Sequence, residues 1–257
     1  MALQAADRDY FFEHGYIHVG EVLTAEWLGA IRAKIDAIVS KARGVSDHDA
    51  VYDLEASHRA EAPRVRRIKT PHLHFPLFEK LVRDPALTDP VAVLIGEDIR
   101  LYGGKINIKA ANFGAPVEWH QDWAFYPHTN DDVLTIGIFL DDMDADNGPL
   151  SVMPGSHKGP IYDHHAEGAF CGALDLETAE LDFSQAVPME GKAGDMVIFH
   201  SRCIHGSAAN LSNRQRRLLI WEMTATDAWP LAGLRDGYEE FQHWVIRGQG
   251  GLVPRLE

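Results

Sequence analysis

The chain has 257 residues, of which 46% are hydrophobic and 24% charged, a balance typical of a globular protein with a substantial core. Its 38 acidic residues outnumber the 24 Lys and Arg, and the net charge of −14 disfavours a general nucleic-acid-binding or anionic-membrane-binding surface. Two cysteines are too few for a disulfide framework, and neither a signal peptide nor a long apolar run occurs, which predicts a cytoplasmic protein.

The front of the chain carries helical patterns. Residues 5–14 and 25–43 place apolar side chains at helical spacing, and Thr24 stands where it would cap the second helix. Residues 75–96 predict further short helical pieces, broken at two Asp-Pro steps.

From about residue 99 the pattern changes to short β-like runs bounded by turn residues: IRLYGGKINIKAA, LTIGIFLDD, PLSVMPGS, DMVIFHSRCIH and RRLLIWEMTA. Helices followed by many short strands predict an α+β chain with a mainly β core of jelly-roll type, on which the N-terminal helices pack. We expect one domain over 1–257, with a helix-rich region over residues 1–98, a strand-rich core over 99–226 and a C-terminal extension over 227–257.

The segment EWHQDW, residues 118–123, places an imidazole and a carboxylate two residues apart. In an extended strand residues i and i+2 point to one face, so His120 and Asp122 would share a space while Gln121 points away. His205, which follows an apolar strand, is the candidate third ligand. Two histidines and one carboxylate leave open positions on a metal, an arrangement that suits non-haem Fe(II) oxygenases.

The strand RQRRLLIWEM brings a cation to an apolar face, because Arg216 shares its face with Leu218 and Ile220. A guanidinium in such a place needs a partner, and its planar fork suits the carboxylate of a ligand. Ser207 could donate a second hydrogen bond to the same carboxylate. An internal ion pair between Arg216 and Glu222 is the alternative.

Two other functions stay open on these residues. A cupin-like Zn²⁺ or Mn²⁺ hydrolase or isomerase could use the same three ligands, but it would have no need of a carboxylate clamp at Arg216. A binding or sensing module that has lost turnover would be expected to show degenerate ligands, and the four key positions are intact. His72 and His74 form a rival HxH pair that lacks a nearby carboxylate.

Three segments, WHQDWAFYP, NGPLSVMPGSHKGP and IHGSAANLSNRQRR, resemble the phytanoyl-CoA dioxygenase family of Fe(II)- and 2-oxoglutarate-dependent oxygenases. The resemblance begins at FFEHGYIHV near the start of the chain and implies a double-stranded β-helix core. It also implies that His120, Asp122 and His205 bind the iron, and that Arg216 binds the distal carboxylate of 2-oxoglutarate.

By the same resemblance Ser207 joins that carboxylate. The KINIK strand lies beside the 1-carboxylate of 2-oxoglutarate, which makes Asn107 and Lys109 candidates there, and Gly103 stands where some members of the family have a glutamine. The implied reaction converts 2-oxoglutarate and O₂ to succinate and CO₂ while an unactivated C–H of a small, possibly anionic, substrate is hydroxylated.

Candidate substrate residues come from two stretches. Trp123, Phe125 and Tyr126 follow the HxD pair and could line a pocket. The locally basic stretch PRVRRIKTPHLHFP predicts that Arg66, Arg67 or Lys69 faces the cavity and meets an anionic group of the substrate. The expected partner is thus a small molecule, and neither nucleic acid nor membrane; the sequence does not indicate an oligomeric state.

Overall fold

The computed structural model describes residues 3–112, 114–176, 179, 181–232, 244–251 and 253–257. The helices are α1 (Ala5–His14), α2 (Ala25–Lys41), α3 (Pro71–His74), α4 (Pro76–Val82) and α5 (Pro85–Ile95). The strands are β1 (Tyr16–Val19), β2 (Tyr52–Leu54), β3 (Val65–Lys69), β4 (Ile99–Lys109), β5 (Val117–His120), β6 (Val133–Phe139), β7 (Leu150–Val152), β8 (His165–Ala166), β9 (Ala169–Phe170), β10 (Val187–Pro188), β11 (Met196–His200), β12 (His205–Ser207), β13 (Arg216–Ala225) and β14 (Val245–Arg247).

The helices form where the sequence predicts them, with one difference. Thr24 caps α2 by accepting a hydrogen bond from the Trp27 amide, as expected. The sequence predicts a break at Pro90, but this residue lies inside α5. Proline removes one backbone hydrogen bond there, and the complete burial of Leu87 and Val91 in the core compensates for that loss.

Two antiparallel sheets build the core. Among the described residues, the larger sheet runs in the order β1-β11-β6-β13-β4-β3-β2, with β14 pairing with β4. The smaller sheet runs β10-β7-β12-β5, and β8 and β9 form a separate hairpin. This is the predicted jelly-roll arrangement of a double-stranded β-helix.

The two faces of the larger sheet have different tasks because side chains alternate along each strand. On β13, Leu219 and Trp221 face the helices and join the main apolar core, whereas Arg216, Leu218 and Ile220 line a cavity on the other face. The sheet therefore supplies both the support for the helices and one wall of the site.

The division into a helix-rich front and a strand-rich core is less sharp than expected. Residues 1–98 contribute β1, β2 and β3 to the larger sheet, and residues 227–257 contribute β14. These strands are short, and β1, β3 and β14 pair with strands distant in sequence, which local patterns do not reveal.

No helix in the described ranges has the length and apolar character needed to cross a bilayer.

Candidate active site

Three predicted metal ligands converge at the smaller sheet. His120 ends β5 and His205 begins β12, and the two residues are register partners across these strands. Asp122 Oδ1 lies 3.7 Å from His120 Nε2 and 3.8 Å from His205 Nε2. One ligand atom from each residue lies within 4.8 Å of the others, so the three could hold a single metal ion.

The strand that was predicted to carry both His120 and Asp122 is shorter than expected. β5 ends at His120, and Asp122 begins a 3₁₀ turn, but Gln121 between them keeps extended dihedral angles. The alternation of a strand therefore continues through one residue beyond β5, and both ligands face the same space.

Backbone carbonyls fix both imidazoles. His120 Nδ1 donates to the carbonyl of Glu118 at 2.7 Å, and His205 Nδ1 donates to the carbonyl of Cys203 at 2.9 Å. A proton on Nδ1 leaves the Nε2 lone pair of each ring free and directed towards Asp122. The geometry thus selects the tautomer that binds a metal.

The protonation states of the three groups are also those of metal ligands. Burial, together with the nearby His205, lowers the pKa of His120 to about 3, and burial lowers the pKa of His205. Burial alone would raise the pKa of Asp122, but His205, Lys105 and His120 outweigh it and lower that pKa to about 2. Neutral imidazoles beside an ionised carboxylate are ready to bind a cation.

A cavity of about 570 Å³ opens from this cluster between the two sheets. Its lining brings together most of the residues predicted from the sequence: Arg66, Asn107, His120, Asp122, Phe125, Tyr126, His205, Ser207 and Arg216. A cavity of this size and mixed polarity is typical of a small-molecule site.

Arg216 is the buried cation of this cavity. Arg216 is 2% exposed, and burial lowers the pKa of its guanidinium to about 10. One Nη2 hydrogen bond reaches the carbonyl of Gly148, while Nε is buried without a hydrogen-bond partner among the described residues. No ion pair joins Arg216 to Glu222 among the described residues, where Glu222 accepts from Lys105 Nζ at 3.0 Å. A guanidinium with an unused buried donor fits a ligand carboxylate.

The other predicted co-substrate residues lie on β4 and β12. Lys109 does not line the cavity; it is the register partner of Arg216, and its Nζ donates to Ser207 Oγ at 2.8 Å and to the carbonyl of Ala208. It thus lies at the Arg216 end of the site. Asn107 lines the cavity, and its Oδ1 accepts from Arg67 Nε at 3.1 Å.

The predicted substrate residues divide into two groups. Phe125, Tyr126, Arg66 and Arg67 line the cavity. Trp123 does not, because the 3₁₀ turn after the ligand pair directs its indole onto a small core with Tyr126. Lys69, at the end of β3, is also absent from the lining.

Several residues of the site were not predicted. Thr135 lines the cavity and bonds to Asp122, and a lone polar residue inside the apolar run LTIGIF was its only signal. Lys105 begins the alternating KINIK pattern and faces the same way as Asn107. Its partner Glu222 occupies space that Gly103 leaves open, since a Cβ at Gly103 would lie 2.5 Å from Glu222 Oε2. A glutamine at residue 103 would therefore displace this carboxylate.

The rival histidine pair forms no metal site. His72 is buried, with its ring 5.4 Å from that of Trp221 and 4.9 Å from that of Trp244. His74 is exposed and contacts Thr70. Within the described ranges, His120, Asp122 and His205 are the cluster with metal-ligand spacing.

Comparison with known proteins agrees with this geometry. The model of the family Phytanoyl-CoA dioxygenase (PhyH) matches residues 11–218. A probable alpha-ketoglutarate-dependent hypophosphite dioxygenase of Stutzerimonas stutzeri is 38% identical over 96% of this chain and 87% of its own length. An L-proline trans-4-hydroxylase of Streptomyces griseoviridis is 35% identical over 59% of this chain and 65% of its own.

Solved structures show the same fold. EctD from S. alaskensis with bound Fe has a TM-score of 0.74 at 22% identity, covering 99% of this chain and 87% of that chain. The non-heme alpha ketoglutarate dependent carbocyclase SnoK from nogalamycin biosynthesis has a TM-score of 0.74 at 25% identity, covering 99% and 97%. The fold, the enzyme class and the requirement for Fe(II), 2-oxoglutarate and O₂ predicted from the sequence are confirmed. The chain belongs to the phytanoyl-CoA dioxygenase family of Fe(II)- and 2-oxoglutarate-dependent oxygenases.

Proposed function

We propose that His120, Asp122 and His205 hold the Fe(II) of this dioxygenase. Support comes from the convergence of three ligand atoms within 4.8 Å and from the carbonyl groups that fix both imidazoles. Three protein ligands leave the positions that a co-substrate and O₂ require, and Fe(II) bound there would supply the activation of O₂.

Arg216 is the residue that binds the distal carboxylate of 2-oxoglutarate. The observation that carries this proposal is its buried guanidinium, which has an unused Nε and opens on the same cavity as the metal ligands. Ser207 lines that cavity too, and the ammonium of Lys109 binds its oxygen, which leaves the hydroxyl hydrogen free to donate to the same carboxylate. Asn107 uses its Oδ1 on Arg67, so its amide nitrogen is free to donate to the 1-carboxylate.

The protein's role in the reaction is to bind, orient and exclude water. One oxygen atom of O₂ enters succinate as 2-oxoglutarate loses CO₂, and the other enters the substrate as a hydroxyl group. The apolar side chains of Leu218, Ile220 and Phe199 line the cavity and limit the water that could compete with the substrate.

The substrate we propose is a small anion. In support, Arg66 lines the cavity, and the name of the relative from Stutzerimonas stutzeri gives hypophosphite as its substrate. Hypophosphite, whose P–H bond could be oxidised to P–OH, is therefore the first compound to test, before C–H substrates of similar size.

The single-domain organisation and the cytoplasmic location stay predictions.

An anaerobic titration tests the proposal. Metal-free protein is loaded with Fe(II) and then with 2-oxoglutarate while the weak visible charge-transfer band of the chelate is followed. We expect the band in the wild type, its loss in His205→Ala, and a requirement for about 100-fold more 2-oxoglutarate in Arg216→Ala. Arg214→Ala is the matched control, because Arg214 is solvent-exposed and pairs with Asp144.

One result of this titration would contradict the proposal. A wild-type protein that binds iron but gives no band with 2-oxoglutarate would contradict the proposed roles of the three metal ligands and of Arg216.

A further inference from the structure

The cavity carries more positive charge than the iron and its co-substrate require. The ionised side chains that line it are four cations and three acids: Arg66, Arg67, Lys105, Arg216, Glu118, Asp122 and Glu222. Fe(II) and the 2-oxoglutarate dianion cancel each other in charge. One positive charge is left for a further ligand, which favours a substrate with a single negative charge.

The excess lies on Arg66 and Arg67. Lys105 is already paired with Glu222, and Arg216 is assigned to 2-oxoglutarate. No acidic side chain in the described ranges pairs with Arg66. Arg67 has a distant partner, because its Nη1 lies 3.8 Å from Asp53.

Asn107 holds the guanidinium of Arg67 in place. The two residues are register partners on β3 and β4, and Arg67 Nε donates to Asn107 Oδ1 at 3.1 Å. The terminal nitrogens of Arg67 make no hydrogen bond to the described residues. A fork fixed at Nε offers its remaining N–H groups to an oxyanion with little loss of conformational entropy.

The crowding of cations in this region lowers the pKa values of Arg67 and Lys109. Burial lowers the pKa of Arg67, and Arg66 lowers it further although Asp53 opposes the change. Burial, Arg216 and Arg66 lower the pKa of Lys109 to about 7. A bound anion would relieve this repulsion.

We propose that Arg66 and Arg67 form an arginine subsite that binds the substrate through a phosphorus oxyanion carrying one negative charge. Asn107 is a positioning residue for this subsite, because it acts through Arg67. The inference rests on the proposed function, since it assumes that 2-oxoglutarate occupies Arg216 and the metal.

The test measures hypophosphite binding without turnover. The anaerobic complex of the protein with Fe(II) and 2-oxoglutarate is titrated with hypophosphite by calorimetry, and the visible band reports 2-oxoglutarate independently. We expect Arg66→Gln and Arg67→Gln each to weaken hypophosphite binding about tenfold or more, with a smaller effect on the affinity for 2-oxoglutarate. Lys69→Gln is the matched control, because it removes one charge from the same strand outside the cavity; it should bind hypophosphite as the wild type does.

Three results would overturn the subsite. The first is a wild-type complex that has the 2-oxoglutarate band but binds no hypophosphite. The second is an arginine variant that binds hypophosphite as tightly as Lys69→Gln does. The third is an arginine variant whose main defect is in 2-oxoglutarate binding, which would assign the cations to the co-substrate. Absence of the band in the wild type would instead contradict the proposed function.

Discussion

Thr135 Oγ1 donates a hydrogen bond of 2.6 Å to Asp122 Oδ2, the carboxylate oxygen other than the one nearest to both histidines. Both residues are buried, and Tyr126 Oη lies 3.4 Å from the same threonine oxygen. With Oδ2 occupied, Oδ1 is the oxygen left to face a metal. Thr135 therefore orients Asp122, the proposed ligand, without being a ligand itself.

Thr135→Val keeps the shape of the side chain and removes its hydroxyl group. We expect the affinity for Fe(II) to fall about 10- to 100-fold, because partners of this kind contribute that much to metal binding. Competition with a chromophoric chelator measures the affinity directly. Thr135→Ser should restore most of it, and a valine variant that binds Fe(II) as tightly as the wild type would show that the hydrogen bond has no orienting role.

Sequence patterns predict the site residues whose chemistry is local to a motif. The HxD pair, His205 and Arg216 could be named because strand alternation and ligand chemistry restrict what such residues can do. Thr135 could not, since its importance depends on β6 lying beside Asp122 in the folded chain. The pairing of Lys105 with Glu222 likewise joins two strands distant in sequence.

The same reason explains the errors on the substrate side. Trp123 and Phe125 are two residues apart in one aromatic run, yet only Phe125 lines the cavity. The prediction treats the run as a strand, whereas a 3₁₀ turn at residues 122–124 changes the direction of each side chain. Short turns of this kind depend on tertiary contacts and leave little periodicity to detect.

The shape of the Arg216 guanidinium should matter as well as its charge. Arg216→Lys keeps a cation but loses the planar fork, so we expect the dissociation constant of 2-oxoglutarate to rise about 10- to 100-fold. Titration of the visible band in the Fe(II)-loaded protein measures it. Arg214→Lys serves as the control, and equal affinities in the two variants would mean that Arg216 does not bind the carboxylate bidentately.

Gln121 lies between His120 and Asp122. It holds in place the segment that covers the cavity. Its Nε2 donates to the carbonyls of Pro160 and Arg202, and its Oε1 accepts from the amide of Tyr162 at 2.9 Å. Residues 171–173, further along this segment, line the cavity. Gln121 thus connects the turn that carries Asp122 to the cover.

Gln121→Leu would leave three backbone groups without partners at similar side-chain volume. We expect a loss of about 3 kcal/mol or more in the free energy of unfolding and faster amide exchange in residues 160–173. Hydrogen–deuterium exchange with urea unfolding measures both. Gln121→Glu keeps the acceptor for Tyr162 but places a buried carboxylate against the carbonyls of Pro160 and Arg202, so it should destabilise the fold at least as much. Unchanged exchange in the leucine variant would exclude the fastening role.

His72 should make the fold sensitive to mild acid. It is buried against Trp221 and Trp244, and burial, with a smaller contribution from His74, lowers its pKa from 6.5 to about 4. The folded state therefore favours the neutral ring. The stability that this ring contributes is complete above pH 6.5 and is lost as the pH falls towards 4.

Replacing His72 should reduce the stability that the protein loses at acid pH. At pH 5 the shift corresponds to about 2 kcal/mol, so His72→Phe should lose about that much less stability than the wild type between pH 7.5 and pH 5. Urea unfolding at the two pH values gives the difference and cancels any effect of the new ring on packing. His74→Gln is the control, because it removes an exposed imidazole and keeps His72, so most of the loss of stability should remain. Equal losses in the wild type and His72→Phe would mean that the acid sensitivity comes from other buried histidines, such as His128 and His200, whose pKa values burial also lowers to about 4.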